Sequence, residues 1–294
     1  MGRYHAQKFA HCEGAQLVAV VDADASRASL FPGIEFFTNH KKILEVADAA
    51  VIAVPTDRHY RIARDCLDAG LHLLIEKPIA TTVQQADALI RLAKKRRVVL
   101  QVGHVERFNR GFAALTARLD RPMFIETERL APFKQRGAEV DVVLDLMIHD
   151  LDLAVALARS EVKRVSASGF RVLTRDIDIA TALIEFRSGC VANLTASRVS
   201  QASVRKLRMF QKGVYVSADL QSGAVRFVTR RGGKMKQTDG NYAGGDALAA
   251  QARSFVLSVS RKSPIAVRGE DGRRALALAL EVGRLVRERL RKFA

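Results

Sequence analysis

The sequence predicts an α/β domain followed by an α+β domain, and two changes of pattern support this. Up to about residue 108, short and nearly continuous apolar runs alternate with helical patterns, which is typical of parallel strands buried on both faces. From residue 109 onwards, β-rich segments with alternating polar and apolar residues follow one another across glycine-containing turns. We therefore expect a Rossmann-type parallel sheet in residues 1–108 and an open, mostly antiparallel sheet in residues 109–294.

The first domain begins with a helix rather than a strand. Gly2 opens a helical pattern, and the apolar strand 17–22 follows it and closes on Asp22. The later predicted strands are 49–55, 71–78 and 97–103, with a weaker candidate at 34–37, and the predicted helices are 40–46, 58–69 and 81–95. A helix opened by glycine and followed by a strand that ends in an acidic residue is the second half of a nucleotide-binding unit.

The second domain begins with a strand at 122–130 and a helix at 142–158. β-rich segments follow at 162–173, 179–188, 190–200, 204–212, 214–219 and 224–230, and helices at about 247–261 and 271–292 close the chain. The polar, glycine-rich stretch 231–246 predicts a mobile loop. Because helices cover only one face of such a sheet, we expect the other face to pack on a second subunit in a homo-oligomer, either a dimer or a tetramer.

The composition excludes several classes of protein. No run approaches the roughly 20 apolar residues of a membrane span, and the N-terminus lacks the layout of a signal peptide. The three widely spaced cysteines, Cys12, Cys66 and Cys190, suit neither a disulfide framework nor a zinc site, so we expect a cytoplasmic protein without a metal. The net charge of +17 attracts anions, but the basic residues are spread along the chain, which favours a solvated surface or an anionic substrate over nucleic acid.

Candidate site residues stand at the carboxyl ends of two predicted strands, where open α/β sheets bind ligands. They are Glu76, Lys77 and Pro78 after one strand and Pro55, Thr56 and His59 after another. Spacing alone leaves two interpretations open for each group. The first is a ligand site, and the second is a surface turn with a charged pair at 76–77 and a helix N-cap at Thr56 or Asp57.

A further group of candidates lies on the predicted helix 142–158. Asp145 and His149 are four residues apart and share a helix face, and Asp152 is three residues further on. Polar groups on a largely apolar helix need partners or a cavity, so the sequence allows a satisfied pair in the core or a general base beside a carboxylate. Ahead of this helix, the stretch GHVERFN places Arg107 and Asn109 near the domain junction.

Three stretches together identify a family. Glu–Lys–Pro (76–78), GHVERFN (103–109) and DLMIHD (145–150) resemble the glucose–fructose oxidoreductase, inositol dehydrogenase and MocA (Gfo/Idh/MocA) family of NAD(P)-dependent sugar and polyol dehydrogenases. The likeness spans nearly the whole chain. With TASRVS (195–200), the sequence is most similar to the UDP-N-acetylglucosamine 3-dehydrogenase branch, which oxidises the C3 hydroxyl of the sugar to a ketone.

The resemblance implies roles for the candidates. Lys77 would contact the reacting hydroxyl and the nicotinamide ribose, and His149 beside Asp145 would be the acid/base, since an imidazole ionises near neutral pH. The residues expected to bind the cofactor are Gly2, Arg3, Asp22, Pro55, Thr56, His59, Glu76, Lys77 and Arg107. Those expected to bind the substrate are Lys77, Arg107, Asn109, Arg129, Asp145, His149 and Arg198, with the arginines as candidates for the diphosphate of a UDP-sugar.

Two choices stay open at this level. Asp22 favours NAD, because a carboxylate accepts a ribose hydroxyl and repels a 2′-phosphate, while Arg27 nearby leaves NADP open. The alternatives for function are a dehydrogenase of another sugar or polyol in the same family, and a non-catalytic protein that kept the fold.

The start of the chain carries its own expectation. Family members have Gly-x-Gly-x-x-Gly after a first strand, and Gly2 matches only the third glycine. In the strand order 3-2-1-4-5-6, the first strand lies between strands 17–22 and 49–55. We expect the native protein to begin with that strand, and this chain to bind NAD poorly and to be unstable without it, because two rows of backbone groups lose their partner.

Overall fold

The structure is a computed structural model that describes residues 1–118, 120–134 and 140–292. The N-terminal part contains α1 (Gly2–Ala10), β1 (Ala19–Val21), β2 (Glu35–Phe37), β3 (Ala49–Ile52), α2 (Thr56–Asp68), β4 (His72–Glu76), α3 (Val83–Arg96) and β5 (Leu100–Gly103). Short 3₁₀ helices occupy Ala25–Leu30 and His40–Ile43. The second of these replaces the predicted helix 40–46, and it is capped by Asn39, whose Oδ1 accepts the Lys41 amide at 3.0 Å.

The remaining elements continue along the chain. A 3₁₀ turn (Val105–Phe108) precedes α4 (Arg110–Thr116), β6 (Phe124–Leu130), a π-helical turn (Val143–Met147), α5 (Ile148–Ala158), β7 (Val162–Phe170), β8 (Ile179–Phe186), β9 (Val191–Ser197), β10 (Val204–Gln211), β11 (Val214–Asp219), β12 (Ala224–Arg231) and β13 (Lys234–Asn241). Two helices, α6 (Ala247–Val259) and α7 (Gly269–Leu290), follow. No helix among these described residues is long and apolar enough to cross a membrane.

The chain divides into two compact units. Unit 1 comprises residues 1–105 and 246–273, and unit 2 comprises residues 106–245 together with the chain from Arg274 onwards. The sequence predicts domains at 1–108 and 109–294, whereas in the structure residues 246–273 belong to unit 1. They belong there because α6 packs on α1, where the rings of Phe9 and Phe255 meet edge to face at 6.2 Å between centroids and Lys8 Nζ lies 2.6 Å from Asp246 Oδ2.

The strands of unit 1 are all parallel, as the apolar runs predict. They form two separate sheets, β1–β2 and β3–β4–β5. Among the described residues β1 and β3 are not paired with each other, and this is the position at which the sequence predicts a shared neighbour. The strand β4 is the centre of its sheet, and Leu73, Leu74 and Ile75 are completely buried there.

Unit 2 is built on an eight-stranded sheet with the order β13-β12-β11-β10-β6-β9-β8-β7. Every neighbouring pair is antiparallel except β6 and β9, which run parallel. One face of the sheet and α5 share a single apolar core, to which Leu151 contributes from the helix and Ala182, Leu194 and Met209 from the strands. This core fixes the position of α5, the helix that carries several candidate site residues.

The mobile loop predicted at 231–246 is wrong, because β13 lies within it. Gly232 and Gly233 adopt positive φ angles of 55° and 78° and form the turn that returns the chain along β12. The strand lies at the edge of the sheet, and nearly all of its residues are exposed. An edge strand needs no buried face, so its polar sequence lacks the alternation by which strands are recognised.

Candidate active site

The candidates of unit 1 lie at the carboxyl ends of β3 and β4. Glu76 is the last residue of β4, and the half-buried Lys77 follows it. At the end of β3, Pro55 occupies the N-cap position of α2 without a side-chain cap, and Thr56 is the first helical residue. The N-cap predicted at Thr56 or Asp57 is therefore wrong, because the extended backbone of Pro55 already begins the helix one residue earlier.

His59 lies behind this edge rather than on its surface. Its side chain is almost completely buried, at 1% exposure, and Nδ1 lies 2.9 Å from the carbonyl oxygen of Pro78. Its Nε2 lies 2.9 Å from the carbonyl oxygen of Val54. Burial lowers the pKa of His59, although both carbonyls oppose this decrease. A buried imidazole between two carbonyls holds neighbouring turns together, and it is a weak candidate for direct contact with a cofactor.

Glu76 also has a buried partner. Its Oε1 lies 2.6 Å from Nε2 of His5, a residue of α1 that is 2% exposed, and its Oε2 accepts the backbone amide of Lys77 at 3.2 Å. His5 is not among the residues that the sequence predicts for the site. The only sequence signal is a histidine three residues after the glycine that opens α1, and its partner lies 71 residues away.

The remaining cofactor candidates of unit 1 are Asp22, Gly2 and Arg3. Asp22 directly follows β1, and its carboxylate accepts the Asp24 amide at 3.0 Å and a donor of Arg27 at 3.0 Å. Gly2 and Arg3 are exposed at the start of α1, and a Cβ built on Gly2 meets no atom within 4 Å. A strand-end carboxylate, and a helix N-terminus with open space around its first glycine, are groups of the kind that bind a nicotinamide dinucleotide.

In unit 2, Asp145 and His149 lie at the junction of the π-helical turn and α5. The sequence predicts one continuous helix, but the Ile148 amide donates to the Val143 carbonyl five residues earlier, so the first turn is wider. Asp141 caps this turn through Oδ1, which accepts the amides of Val143 at 3.1 Å and Leu144 at 3.0 Å. Asp145 and His149 are both half-buried, and Nδ1 of His149 is shielded from solvent.

A buried ionic network lies directly beside His149. Arg129, on β6, donates through Nε and Nη2 to both oxygens of Asp150 at 2.9 and 2.8 Å, and through Nη1 to Glu106 at 3.0 Å. The three side chains are only 5 to 7% exposed. Burial raises the pKa of Asp150, and the Arg129 guanidinium opposes that increase by stabilising the carboxylate. For Arg129, burial is outweighed by the two carboxylates, which raise its pKa.

A second ion pair joins the 3₁₀ turn to α5. Arg107 donates through Nε and Nη2 to the two oxygens of Asp152 at 2.6 and 2.9 Å, and Asp152 is 2% exposed. This assigns Asp152, whose role the sequence left open, to a structural pair. Asn109 is the N-cap of α4, where Oδ1 accepts the Gly111 amide at 2.9 Å and Nδ2 donates to the Leu220 carbonyl at 2.9 Å.

The three arginines predicted to bind diphosphate differ in their surroundings. Arg198 follows β9, and its guanidinium donates to the carbonyls of Val140 and Ile177, with the Ile177 contact at 3.2 Å. The side chains of Arg129 and Arg198 are 5% and 7% exposed, whereas that of Arg107 is 18% exposed. Arg107 is therefore the strongest of the three for contact with an anion. Among the described residues, no group of three or more acidic, histidine or cysteine side chains could hold a metal ion.

Comparisons with known proteins agree with these features. Residues 1–104 match the model of an oxidoreductase family with an NAD-binding Rossmann fold, and residues 113–213 match the Gfo/Idh/MocA C-terminal domain. The chain is 38% identical to a UDP-N-acetylglucosamine 3-dehydrogenase of Acidithiobacillus ferrooxidans, over 96% of this chain and 93% of that protein.

Two further matches are a solved structure and a more distant relative. A solved structure of the Acidithiobacillus ferrooxidans enzyme covers 97% of this chain and 93% of its own, with a TM-score of 0.91. A myo-inositol 2-dehydrogenase of Thermotoga maritima is 24% identical over 98% of this chain and 94% of that protein. Given the matching family models and the 38% identity over almost the whole chain, the protein belongs to the Gfo/Idh/MocA family of NAD-binding oxidoreductases.

Proposed function

We propose that the protein oxidises the C3 hydroxyl of a UDP-N-acetylhexosamine, UDP-N-acetylglucosamine in the first instance, with NAD as the acceptor. The observation that carries the proposal is the 38% identity over almost the whole chain to an enzyme of that activity. Lys77, Asp145 and His149 are all present as the family motifs require. A non-catalytic protein that kept the fold would have no need of all three.

The proposed chemistry requires this chain to manage one proton and one developing negative charge. Bound nicotinamide supplies the hydride acceptor. Lys77, at the end of β4, is assigned to stabilise the alkoxide charge that develops on the sugar oxygen. His149 is assigned to take the hydroxyl proton. Because Nδ1 of His149 is shielded from solvent, Nε2 is the nitrogen that we assign to this step. Asp145, four residues earlier, would orient the imidazole.

The binding roles follow from exposure and charge. Asp22 is assigned to the adenosine ribose, and its carboxylate favours NAD over NADP. Gly2 and Arg3, exposed at the start of α1, are assigned to the cofactor as well. Arg107 is assigned to the diphosphate of the substrate. For Arg129 and Arg198, whose side chains are 5% and 7% exposed against 18% for Arg107, we favour a structural role over contact with the substrate.

We further propose a cytoplasmic homo-oligomer. The face of the unit 2 sheet that does not contribute to the apolar core carries Leu183 at 40% exposure and Phe210 at 38% exposure. The ring of Phe210 contacts Phe124 and Tyr215 at 5.9 and 5.0 Å between centroids, which makes an apolar cluster on this face. A second copy would cover it. A solution mass equal to one chain would overturn this part of the proposal.

The test is an assay, with NAD and UDP-N-acetylglucosamine, of the chain and of a form extended upstream by the first strand that the family pattern leads us to expect. NADH absorbance is followed with an aminotransferase and an amino donor present to remove the ketone. Lys77→Met and His149→Gln should each lower kcat by about 10²- to 10⁴-fold. Lys95→Met, an exposed lysine on α3, is the matched control and should retain full activity.

Three outcomes of the assay count against the proposal or refine it. Activity with myo-inositol but not with the UDP-sugar would keep the family and discard the substrate. Unchanged turnover in Lys77→Met or His149→Gln would discard the assigned roles. Binding of NAD without turnover of either substrate would favour the non-catalytic alternative.

A further inference from the structure

The residues on either side of Lys77 are each held by a buried histidine from a different helix. On the N-terminal side, the Glu76 carboxylate contacts His5 of α1, with 2.6 Å between Oε1 and Nε2. On the C-terminal side, the carbonyl oxygen of Pro78 lies 2.9 Å from Nδ1 of His59, a residue of α2. The two histidines are 2% and 1% exposed. Since both are shielded from solvent, neither is placed to touch a substrate.

The contacts leave the segment 76–78 little freedom. The second oxygen of Glu76 accepts the Lys77 amide at 3.2 Å, so one carboxylate joins His5 to the backbone of Lys77. Gly103 of β5 also packs closely against Glu76. A Cβ added at position 103 would lie 2.9 Å from Cδ and 3.0 Å from Cα of Glu76, so only glycine fits this contact without a shift. His59 adds a connection to the end of β3 through the Val54 carbonyl at 2.9 Å.

The chemistry of the imidazoles shows which of these contacts can be made. A neutral imidazole carries one N–H, so His59 donates to one of its two carbonyls at a time, whereas the imidazolium donates to both. Because burial lowers the pKa of His59, the neutral form is favoured and the two carbonyls compete for one proton. The two contacts of His59 are therefore unequal at any moment, and they can be tested separately.

We propose that His5 and His59 are positioning residues that fix the backbone on both sides of Lys77 and so set where its ammonium group can reach. The inference rests on the proposed function, in which Lys77 stabilises the developing charge. It goes beyond that function by assigning two residues that contact neither substrate nor reacting atoms. A displacement of about 1 Å at a catalytic group is enough to lower the rate by about 100-fold.

The test uses amide side chains as partial replacements for imidazole. The amide nitrogen of asparagine lies near the position of Nδ1, and that of glutamine near the position of Nε2. His59→Asn should keep a donor for Pro78, and His59→Gln should keep a donor for Val54 instead. His5→Gln should keep the donor for Glu76, and His5→Leu should remove it. His40→Leu is the matched control, because His40 is a histidine of the same unit whose Nε2 lies 2.9 Å from Oδ2 of Asp65, a residue outside the segment 76–78.

Two readouts are needed, and the first does not depend on turnover. The rate at which an amine reagent modifies Lys77, followed by peptide mass spectrometry, should rise in His5→Leu and in His59→Gln. In the assay, kcat should fall by about 10- to 100-fold in the same two variants, with the KM for NAD unchanged. His5→Gln and His59→Asn should recover much of both losses, and His40→Leu should behave like the unmodified chain.

The outcomes separate this inference from the proposed function. If the unmodified chain has no dehydrogenase activity, the labelling rates still decide whether the histidines position Lys77. Equal labelling and equal kcat in His59→Asn and His59→Gln would overturn the inference at His59. The same result for His5→Leu and His5→Gln would overturn it at His5. Variants that unfold at lower temperature but keep the labelling rate of Lys77 would show histidines with a structural role alone.

Discussion

The two units hold their candidate catalytic residues by different means. In unit 1, the segment around Lys77 is held by two buried imidazoles, whose nitrogens lie 2.6 Å from one carboxylate oxygen and 2.9 Å from two carbonyl oxygens. In unit 2, the helix that carries His149 is fixed by a guanidinium between two buried carboxylates. Loss of Arg129 leaves two buried carboxylates without their cation, whereas loss of His59 leaves two neutral carbonyl groups. We therefore expect variants in unit 1 to separate activity from folding, and variants in unit 2 to change both.

The largest effect should come from removing the shared cation of unit 2. Arg129→Met leaves Asp150 and Glu106 buried without their partner, and breaking a buried ion pair in this way costs about 3–5 kcal/mol. The measurement is the urea midpoint of the first unfolding transition, followed by circular dichroism. The urea midpoint of Arg129→Lys should lie between those of Arg129→Met and the unmodified chain. A lysine keeps the positive charge but not the forked contact with Asp150.

The control for this experiment is another arginine of the same sheet. Arg226 on β12 contacts both oxygens of Asp239 on β13 at 2.8 and 3.2 Å, but both side chains are 55% exposed. Because exposed pairs contribute about 0–1 kcal/mol, Arg226→Met should scarcely move the midpoint. If Arg129→Met and Arg226→Met lowered the urea midpoint by equally small amounts, the buried ion pairs would not be a main source of stability in unit 2. The proposed difference between the two units would then be wrong.

An intermediate effect is expected at a carboxylate of unit 2 that has backbone partners. Asp178 is completely buried, and it accepts the amides of Val172, Leu173 and Thr174 at 2.7 to 2.8 Å and the Thr174 hydroxyl at 2.7 Å. Burial alone would raise the pKa of this carboxyl, but the hydrogen bonds lower it from 3.8 to about 2. Its ionised form therefore stabilises the fold.

The sign of the pH effect follows from this direction. Because the folded pKa is lower than the unfolded one, the stabilisation is fully present above about pH 4 and is lost as the pH falls towards 2. Asp178→Asn should lower the free energy of unfolding at neutral pH by about 2 kcal/mol. The difference from the unmodified chain should shrink between pH 4 and pH 2 in acid unfolding curves. A difference that stayed constant with pH would contradict the assigned ionisation.

The same contrast explains how much the sequence could predict. The sequence predicts the strands of unit 1 because their apolar runs record burial on both faces, and it proposes Lys77 and His149 as site residues because short motifs carry them. The contacts that hold the segments around these two residues are not predicted by the sequence. His5 meets Glu76 across 71 residues and Arg129 meets Asp150 across 21, and no local pattern records such a pairing.

Elsewhere, prediction from the sequence was limited because the sequence does not show which residues are exposed. The polar strand β13 is hydrogen-bonded on one side and exposed, so it lacks the apolar alternation that identified its neighbours. Arg129 and Arg198 were predicted to bind substrate because arginine suits phosphate, but residue type alone does not show that a side chain is 5 to 7% exposed. The sequence thus predicts residues that short motifs mark by their chemical type. It predicts least well the pairs of residues that only the tertiary fold brings together.

The smallest effect tests an exposed pair in unit 1, where charge should influence the choice of cofactor and not the fold. Arg27 lies 3.0 Å from Asp22, and their side chains are 57% and 33% exposed. Arg27→Ala should change the free energy of unfolding by less than about 1 kcal/mol, because exposed ion pairs contribute little. It should also shift the ratio of kcat/KM for NAD over NADP in favour of NAD by about tenfold or less, because one surface charge that could meet a 2′-phosphate is removed.

Arg64→Ala is the matched control, since Arg64 is an exposed arginine of the same unit, 3.5 Å from Asp65. It should leave both the stability and the cofactor ratio unchanged. A loss of stability in Arg27→Ala as large as that of Arg129→Met would show that unit 1 also depends on paired charges. An unchanged cofactor ratio would instead place Arg27 away from the cofactor phosphate, and the preference for NAD would then rest on Asp22 alone.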